Sequence, residues 1–388
     1  MMCTIFKNYR YLFLLFFWVS LLYPGECRAF EHDIKGQVSG WMSGNQGKEL
    51  ISQMGLRYIP DVFIEKTLND NILADAEISL NTFATGNFND WENPNTEGKL
   101  KPYRIWGRFA TNQFEARIGL QKINFGQAML FRPLMWFDSI DPRDPLKLTD
   151  GVQGLLLRYY FQSNANIWLW ALYDNNHLKG WETAPTEDNG LEFGGRLQLP
   201  ILTGEAGISY HHRRADFSRL PALAALSNTN LVDENRFAID CKLDIKIGLW
   251  IEGTIIQRDT NIPYLKYQRM WTIGADYTFD MGNGLNVLTE LFNSEKSDEI
   301  FRAGDGIQFI GSSVNYPIGL FDQVSGMHYY DWTNQDNYVL LNWQRTYDNL
   351  MLHLIGFFNP ETVRLNQTQT GSNAFAGNGF QIMVEFNH

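Results

Sequence analysis

The chain has 388 residues, of which 44% are hydrophobic, 14% aromatic and 19% charged, with 33 glycines and a formal net charge of -11. Plentiful aromatics and glycine with modest charge exclude disorder, collagen and a coiled coil, and Lys+Arg 32 against Asp+Glu 43 gives no global attraction for nucleic acid. Three cysteines make neither a disulfide framework nor a Cys-rich zinc site, and the one long apolar run, 11–22, is shorter than the roughly twenty residues a spanning helix needs.

The first element in chain order is an address. Lys7 and Arg10 form a basic start, 11–22 an apolar stretch, and Pro24-Gly25 a break before Cys27-Arg28-Ala29. This pattern predicts a secretory signal peptide over 1–29, cut after Ala29, and one domain over 30–388. Cys27 is not read as a lipid anchor, because Glu26 stands where a small residue is expected. Cleavage leaves Cys241 as the only cysteine of the mature chain.

From Ile34 onward, segments of about ten residues alternate between polar and apolar side chains. Phe114, Ala116, Ile118 and Leu120 alternate with Glu115, Arg117 and Gln121; Phe237, Ile239, Cys241 and Leu243 alternate with Ala238, Asp240 and Lys242; Phe380, Ile382, Val384 and Phe386 close the chain in the same way. A period of two predicts half-buried antiparallel strands. They are placed near 34–42, 50–65, 72–83, 103–110, 113–122, 152–162, 165–174 and 191–199. A second set follows near 204–213, 235–245, 247–258, 269–279, 284–293, 336–346, 349–358 and 379–387.

A soluble sandwich would alternate too, so the joins between strands decide. Short joins at 111–112, 163–164, 200–203, 246, 280–283 and 347–348 alternate with long ones at 84–102, 123–151, 175–190, 214–234, 259–268, 294–335 and 359–378. Long loops gathered at one end are the mark of outer-membrane barrels, and nine to eleven residues suit a tilted membrane strand. The expected fold is all-β: a transmembrane antiparallel barrel of about 16 strands (14–18), with short periplasmic turns and long extracellular loops. In lipid every backbone polar group must pair internally, which a closed sheet achieves without edges. The apolar face then meets lipid and the polar face the lumen. Tyr58, Trp168, Trp170, Trp250, Trp271, Trp343 and Tyr347 are expected mostly in aromatic girdles.

About sixteen strands leave an aqueous channel unless something fills it. Alternation turns Arg104, Arg108, Arg117 and Arg158 inward as a basic wall. It turns Glu192, Glu205, Asp240, Glu252, Asp276 and Glu290 inward on later strands as an acidic one. Facing walls of opposite sign would set a transverse field that sorts polar solutes. The join 123–151 carries Asp138, Asp141 and Asp144, three stiffening prolines and an apolar cluster over 129–137. It is the candidate constriction, with its carboxylates facing the arginine wall. The spacing of those aspartates matches no calcium loop, and no metal or cofactor is expected.

Arg117-Ile-Gly-Leu-Gln-Lys-Ile-Asn-Phe-Gly126, followed by Asp138-Ser-Ile-Asp-Pro-Arg-Asp-Pro145, resembles a stretch of bacterial porin-like outer-membrane barrels. There an Arg-x-Gly-x-Gln strand runs into Trp-Gly and an Asn-Pro-x-Asp turn; here Phe125 and Asp141-Pro142 stand at those places. The chain end resembles the barrel-assembly signal, with Asn387 and His388 following the aromatic Phe386. The resemblance implies a porin of the Gram-negative outer membrane, passing ions or small polar solutes, embedded in lipid and exported by the signal peptide. A homotrimer and a periplasmic protein partner stay open.

No Gly-x-Ser-x-Gly, His-Glu-x-x-His or Cys-x-x-Cys occurs, so the expectation is a non-enzyme that binds no nucleic acid. The alternatives are a specialised conduit, exporting a polymer or sheathing a periplasmic partner, and an outer-membrane enzyme.

Overall fold

In the computed structural model, residues 31–46, 50–88, 95–220, 230–361 and 375–388 are described; the signal-peptide expectation lies outside them. They form one antiparallel sheet of 18 strands. The first nine are β1 (Glu31–Gln46), β2 (Leu50–Asn69), β3 (Ile72–Asn87), β4 (Asn95–Thr111), β5 (Phe114–Gln121), β6 (Val152–Tyr160), β7 (Asn166–Tyr173), β8 (Leu191–Ile201) and β9 (Gly204–Asp216). The rest are β10 (Leu231–Asp244), β11 (Gly248–Arg258), β12 (Tyr267–Phe279), β13 (Leu285–Ser297), β14 (Asp305–Pro317), β15 (Asp322–Asp331), β16 (Asp336–Thr346), β17 (Leu350–Phe358) and β18 (Asn378–Asn387).

Each strand pairs with its chain neighbours, and β1 pairs with both β2 and β18, which closes the sheet into a barrel. The seam runs from Gln37↔Asn387 to Gln46↔Asn378. Beyond it, Gly36 N–H donates to the His388 carbonyl and His388 N–H to that of Gly36, both at 2.9 Å. The His388 ring stacks on Tyr58 and Phe386, with centroids 5.9 and 6.1 Å away. The two residues after the terminal aromatic are therefore part of the closure.

The count of 18 corrects the expectation of about 16. The additional hairpin, β14–β15, lies inside 294–335, read from sequence as one long join; the strand-free stretches there are 298–304, the hairpin turn 318–321 and 332–335. The join expected at 84–102 likewise shrinks to 88–94, because β3 and β4 continue as paired strands from Ser79↔Arg104 to Asn87↔Asn95. The missed hairpin lacks a clean two-faced pattern for a physical reason. Its inward residues Ile307, Phe309 and Tyr329 pack against an apolar segment inside the barrel, so both of its faces are apolar in part.

Outward faces are exposed and apolar, as Phe237, Ile239, Ile251 and Ile273 show on three neighbouring strands. Inward faces are buried and carry most of the charge. A second correction concerns tryptophans. Trp168, Trp170 and Trp250 face inward, Trp170 and Trp250 each 3% exposed, whereas Tyr58, Trp271 and Tyr347 keep outward positions. Inward aromatics meet protein here rather than water, which is why they tolerate the lumenal side.

The β14–β15 hairpin generates a test. Val314 is outward, opposite Gly326 at mid-strand, while Ser313 is inward and buried. Val314→Arg should destabilise the folded barrel by about 2–4 kcal/mol, the range for a basic residue at the bilayer midplane. Urea unfolding in lipid vesicles measures this; a cost near zero would place 305–331 outside the barrel wall.

Candidate functional site

The join between β5 and β6, 122–151, folds into the barrel and crosses it. Ile123, Leu130, Phe131, Leu134, Met135, Trp136 and Phe137 are all 3% exposed or less. A chain crossing a lumen carries backbone N–H groups that no strand can pair. Two glutamates on the far wall accept them. Glu252 of β11 takes Gln127 N–H at 2.7 Å, Ala128 N–H at 3.0 Å and Leu134 N–H at 2.7 Å. Glu290 of β13 takes Met129 N–H at 2.6 Å, Leu130 N–H at 2.9 Å, Phe131 N–H at 2.7 Å and the Trp250 indole N–H at 3.0 Å. Gly126 sits at φ +97 directly over the Glu252 carboxylate, where a Cβ would collide with it.

Phe131 anchors the tip. Its ring lies against Phe292, Phe309 and Tyr329 at centroid distances of 5.4, 5.7 and 5.1 Å, and its carbonyl accepts from Thr272 Oγ1 at 2.7 Å. A Cβ on Gly311 would stand 2.6 Å from that ring, so the close approach requires glycine. Burying such a side chain contributes about 1.5–3 kcal/mol. Lower in the lumen, Gln127 Nε2 donates to Glu205 Oε1 at 2.5 Å. Trp136 and Phe137 pack on His211, whose Nδ1 lies 3.2 Å from the Trp170 indole nitrogen and accepts its proton.

A second join, 174–190, lies on the first. Trp181 Nε1 donates to the Arg132 carbonyl at 2.9 Å, and its ring stacks on Phe292 at 5.2 Å. Lys179 reaches Glu192 at 3.0 Å, and Glu182 receives Arg236 at 2.9 Å and Arg213 at 3.4 Å. Glu234 is gripped in turn by Arg213, Arg236 and Arg258 at 2.7, 2.7 and 2.6 Å. Asp240 pairs with Arg196 at 2.5 Å.

The structure places all ten strand residues singled out from sequence on the lumenal face, but it distributes them among different tasks. On the basic wall, Arg108 binds Asp75, and Glu115 lies 3.5, 3.3 and 3.6 Å from Arg108, Arg117 and Arg158. The Arg117 guanidinium lies over Trp106 at 4.4 Å and that of Arg158 over Trp168 at 3.8 Å. Arg104 is tied to backbone, donating to the Thr149 carbonyl at 2.9 Å. Arg108, Arg117 and Arg158 keep 25%, 17% and 17% of their side chains exposed, whereas Asp75 and Glu115 keep 0% and 9%. Glu77, inward on β3, accepts from the Trp106 indole at 2.9 Å, so this wall sets Arg104, Arg108, Arg117 and Arg158 against Asp75, Glu77 and Glu115 and keeps a positive excess.

The residues of the expected acidic wall are divided among different partners. Glu192 and Asp240 have cationic partners, and Glu252 and Glu290 hold the loop. Glu205 binds Gln127, and Asp276 sits lower on β12 opposite Gly248. The loop aspartates turn to their own loop rather than to the arginine wall. Asp138 pairs with Arg132 and Asp141 with Arg143, each at 2.7 Å, while Asp144 accepts from the Leu146 and Leu148 amides at 3.0 and 3.4 Å. Burial pushes the Asp144 carboxyl above its ordinary range, against the opposing effect of those two amides. Arg196, Arg213, Glu234, Arg236 and Arg258 were not singled out from sequence. The same alternation that turned Glu192, Glu205, Asp240 and Glu252 inward places them inward as well, four, six or eight residues along the same strands.

No protein-family model matches the chain, and no curated protein sequence matches it. Solved structures do match over nearly the whole length. OccAB1 of Acinetobacter baumannii superposes with a TM-score of 0.57 at 8% identity, covering 92% of this chain and 96% of that one. OmpF of Salmonella typhi, solved with daunomycin, gives 0.50 at 11%, covering 92% and 97%. Wzi of Escherichia coli, an outer-membrane protein involved in group 1 capsule assembly and described as a carbohydrate-binding β-barrel, gives 0.53 at 12%, covering 90% and 84%. At these identities the likeness is one of fold: the chain folds as a closed antiparallel β-barrel like those of these outer-membrane proteins.

The glutamate clamps generate a test. Glu252→Ala or Glu290→Ala leaves at least three backbone N–H groups without their acceptor, each buried orphan costing about 1–3 kcal/mol. Protease added to the detergent-solubilised barrel should then cut within 127–137 in either variant but not in the parent, while heat-modifiable mobility persists. Equal resistance in all three would remove the clamps as what holds the loop.

Proposed function

We propose that the chain is an outer-membrane channel for ions or small polar solutes, constricted by the inserted 122–151 segment with 174–190 lying on it. The observation that carries this reading is the lumen-crossing segment fixed to one wall while Arg108, Arg117 and Arg158 stay partly exposed on another. An arginine that keeps exposed N–H groups beside a narrowed path attracts anions and repels cations, so the channel favours anionic solutes. At 0.15 M salt the screening length is roughly 8 Å, so charges this close to a narrow path keep much of their effect.

On this reading, 1–29 is the export signal, the mature domain is a single barrel, and the short turns face the periplasm with the long loops outside. The lumenal polar groups serve as structural clamps and path lining, not as catalysts. A second reading keeps the lumen permanently occupied, as in a solute-binding barrel or a conduit serving a partner. The buried ion-pair network of Lys179, Glu182, Arg213 and Arg236 favours it, since it fastens 174–190 over the first segment.

Planar-bilayer recording separates the two. Open steps are expected for the channel, and silence for the occupied barrel. Replacing Arg108, Arg117 and Arg158 together with glutamine should move the reversal potential in a salt gradient towards cation selectivity. Removing 130–146 should raise single-channel conductance. If the variants assemble and neither quantity moves, the solute path does not pass this wall. Orientation has its own readout: tags within 217–230 should react with antibody on intact cells, and tags at 112–113 or 280–284 should not.

A further inference from the structure

One arginine of the lumenal face has no partner. Arg57 lies inward on β2, opposite Ser39 of β1 and Phe83 of β3. Its guanidinium sits between two rings, 5.4 Å from the Trp41 centroid and 5.3 Å from that of Phe83. Among the described residues it is the one arginine with neither a hydrogen bond nor an ion pair, and its Nε–H is buried without an acceptor. The side chain is half-buried, so the end carrying the two Nη groups is what it turns to the lumen.

The bracket around it is firmly built. Trp41 lies over Gly55, where a Cβ would stand 2.0 Å from the indole. Trp41 Nε1 donates to Gln53 Oε1 at 3.2 Å and Gln53 Nε2 to Asn87 Oδ1 at 2.8 Å, which fixes the ring across β1, β2 and β3. A cation half taken out of water with no anion beside it costs stability. The aromatic faces offset part of that cost, but they give its N–H groups no oxygen. The vacant place is therefore that of an anion.

Its position puts it on the route to the narrowed region. Asp61, four residues back along β2, lies opposite Ser79, and Ser79 opposite Arg104, which meets the inserted join at the Thr149 carbonyl. Four residues of strand span about 13 Å. Arg57 thus stands beyond the join on the side of the long loops, and a solute arriving from there passes it before Arg108, Arg117 and Arg158.

The surroundings also limit the charge of the ligand. Asp144 and Asp150 of the join bear on Arg57 at longer range, Asp150 already held by Lys101 and Asp144 by the Leu146 and Leu148 amides. One guanidinium faced by two distant carboxylates suits a single negative charge better than two. A carboxylate can take both Nη groups at once, and the half-buried faces of Trp41 and Phe83 beside it favour an apolar body over a hydrated one.

We propose that Arg57, with Trp41 and Phe83, is a binding site for monoanionic carboxylates with an apolar or aromatic body. It deepens the channel reading and rests on that reading for the solute's onward path, though not for binding itself.

Saturation-transfer NMR on the detergent-solubilised barrel, titrated with sodium benzoate, reads binding without needing conduction. Benzoate should bind saturably, and benzamide, its neutral counterpart, at least about tenfold more weakly. Arg57→Gln should weaken benzoate by a similar factor. Arg57→Lys, which keeps the charge but not the fork, should weaken it as well. Arg302→Gln, the same loss of charge on an exposed loop, should change nothing. Inorganic phosphate should displace benzoate poorly. Benzoate held equally by the parent and either Arg57 variant, equal affinity for benzamide, or displacement by phosphate at lower concentration than by benzoate itself overturns the proposal. Silent bilayers with benzoate still bound through Arg57 would remove the channel reading and uphold the site, whereas open steps without benzoate binding would remove the site alone.

Discussion

A backbone taken out of water must have its N–H and C=O groups paired, and the whole barrel is arranged by that demand. Strand ladders meet it in the wall, and β1 with β18 meets it at the seam, down to the reciprocal Gly36–His388 pair. The segment 127–134 is irregular backbone crossing the lumen, and there the demand falls on side chains. Carboxylates meet it best, because an ionised Glu is acceptor-only and can take several N–H groups at once. A glutamine at 252 or 290 would turn an NH2 towards some of those donors. The carboxyl oxygens of Glu252 and Glu290 are thus met by backbone N–H groups, whereas Glu192, Glu234 and Asp240 are held by Lys and Arg.

This division makes the lumen two-sided. Where the segment docks, the inner face of β11–β16 turns apolar and aromatic, with Trp250, Phe292, Phe309, Tyr329 and Tyr338 packed around Phe131. Across the barrel, on β3–β6, the inner face stays charged and partly exposed, with arginines laid over Trp106 and Trp168. The 174–190 segment extends the dry side, because Trp181 stacks on the same Phe292 and donates to Arg132 of the first segment. Any passage left to a solute therefore runs beside cations.

The same asymmetry explains what was legible in the sequence. Period-two alternation assumes a wet lumen, and it read strands correctly wherever the inner face is polar, as on β5, β10 and β18. It failed on β14 and β15, whose inward Phe309 and Tyr329 match the outward apolar residues, and the girdle expectation, not alternation, put Trp168, Trp170 and Trp250 on the wrong side. Parity still turned every chosen charge inward. What parity lacks is the partner: nothing in the spacing of Glu252 and Glu290 says that they receive amides from residues more than a hundred positions away. The apolar cluster 129–137 did signal an inserted segment, since a run so hydrophobic has no place in an outer loop.

The net charge of the chain does not set the charge of the lumenal wall on β4–β6. The formal net charge is -11, which alone would favour cations. Yet a solute in a narrow passage responds to groups within about a screening length, roughly 8 Å at 0.15 M salt, and not to the sum. The lumenal acids of β8–β13 are mostly taken up by Lys179, Arg196, Arg213, Arg236, Arg258 and the segment amides, while Glu115 and Asp75 are shielded beneath three guanidiniums. The excess acid must then reside mainly outside the narrowed region, in rims, loops and turn tips such as Asp244, Asp280 and Asp348. Among the groups left partly exposed on β4–β6 are three arginines, against the sign of the chain that carries them.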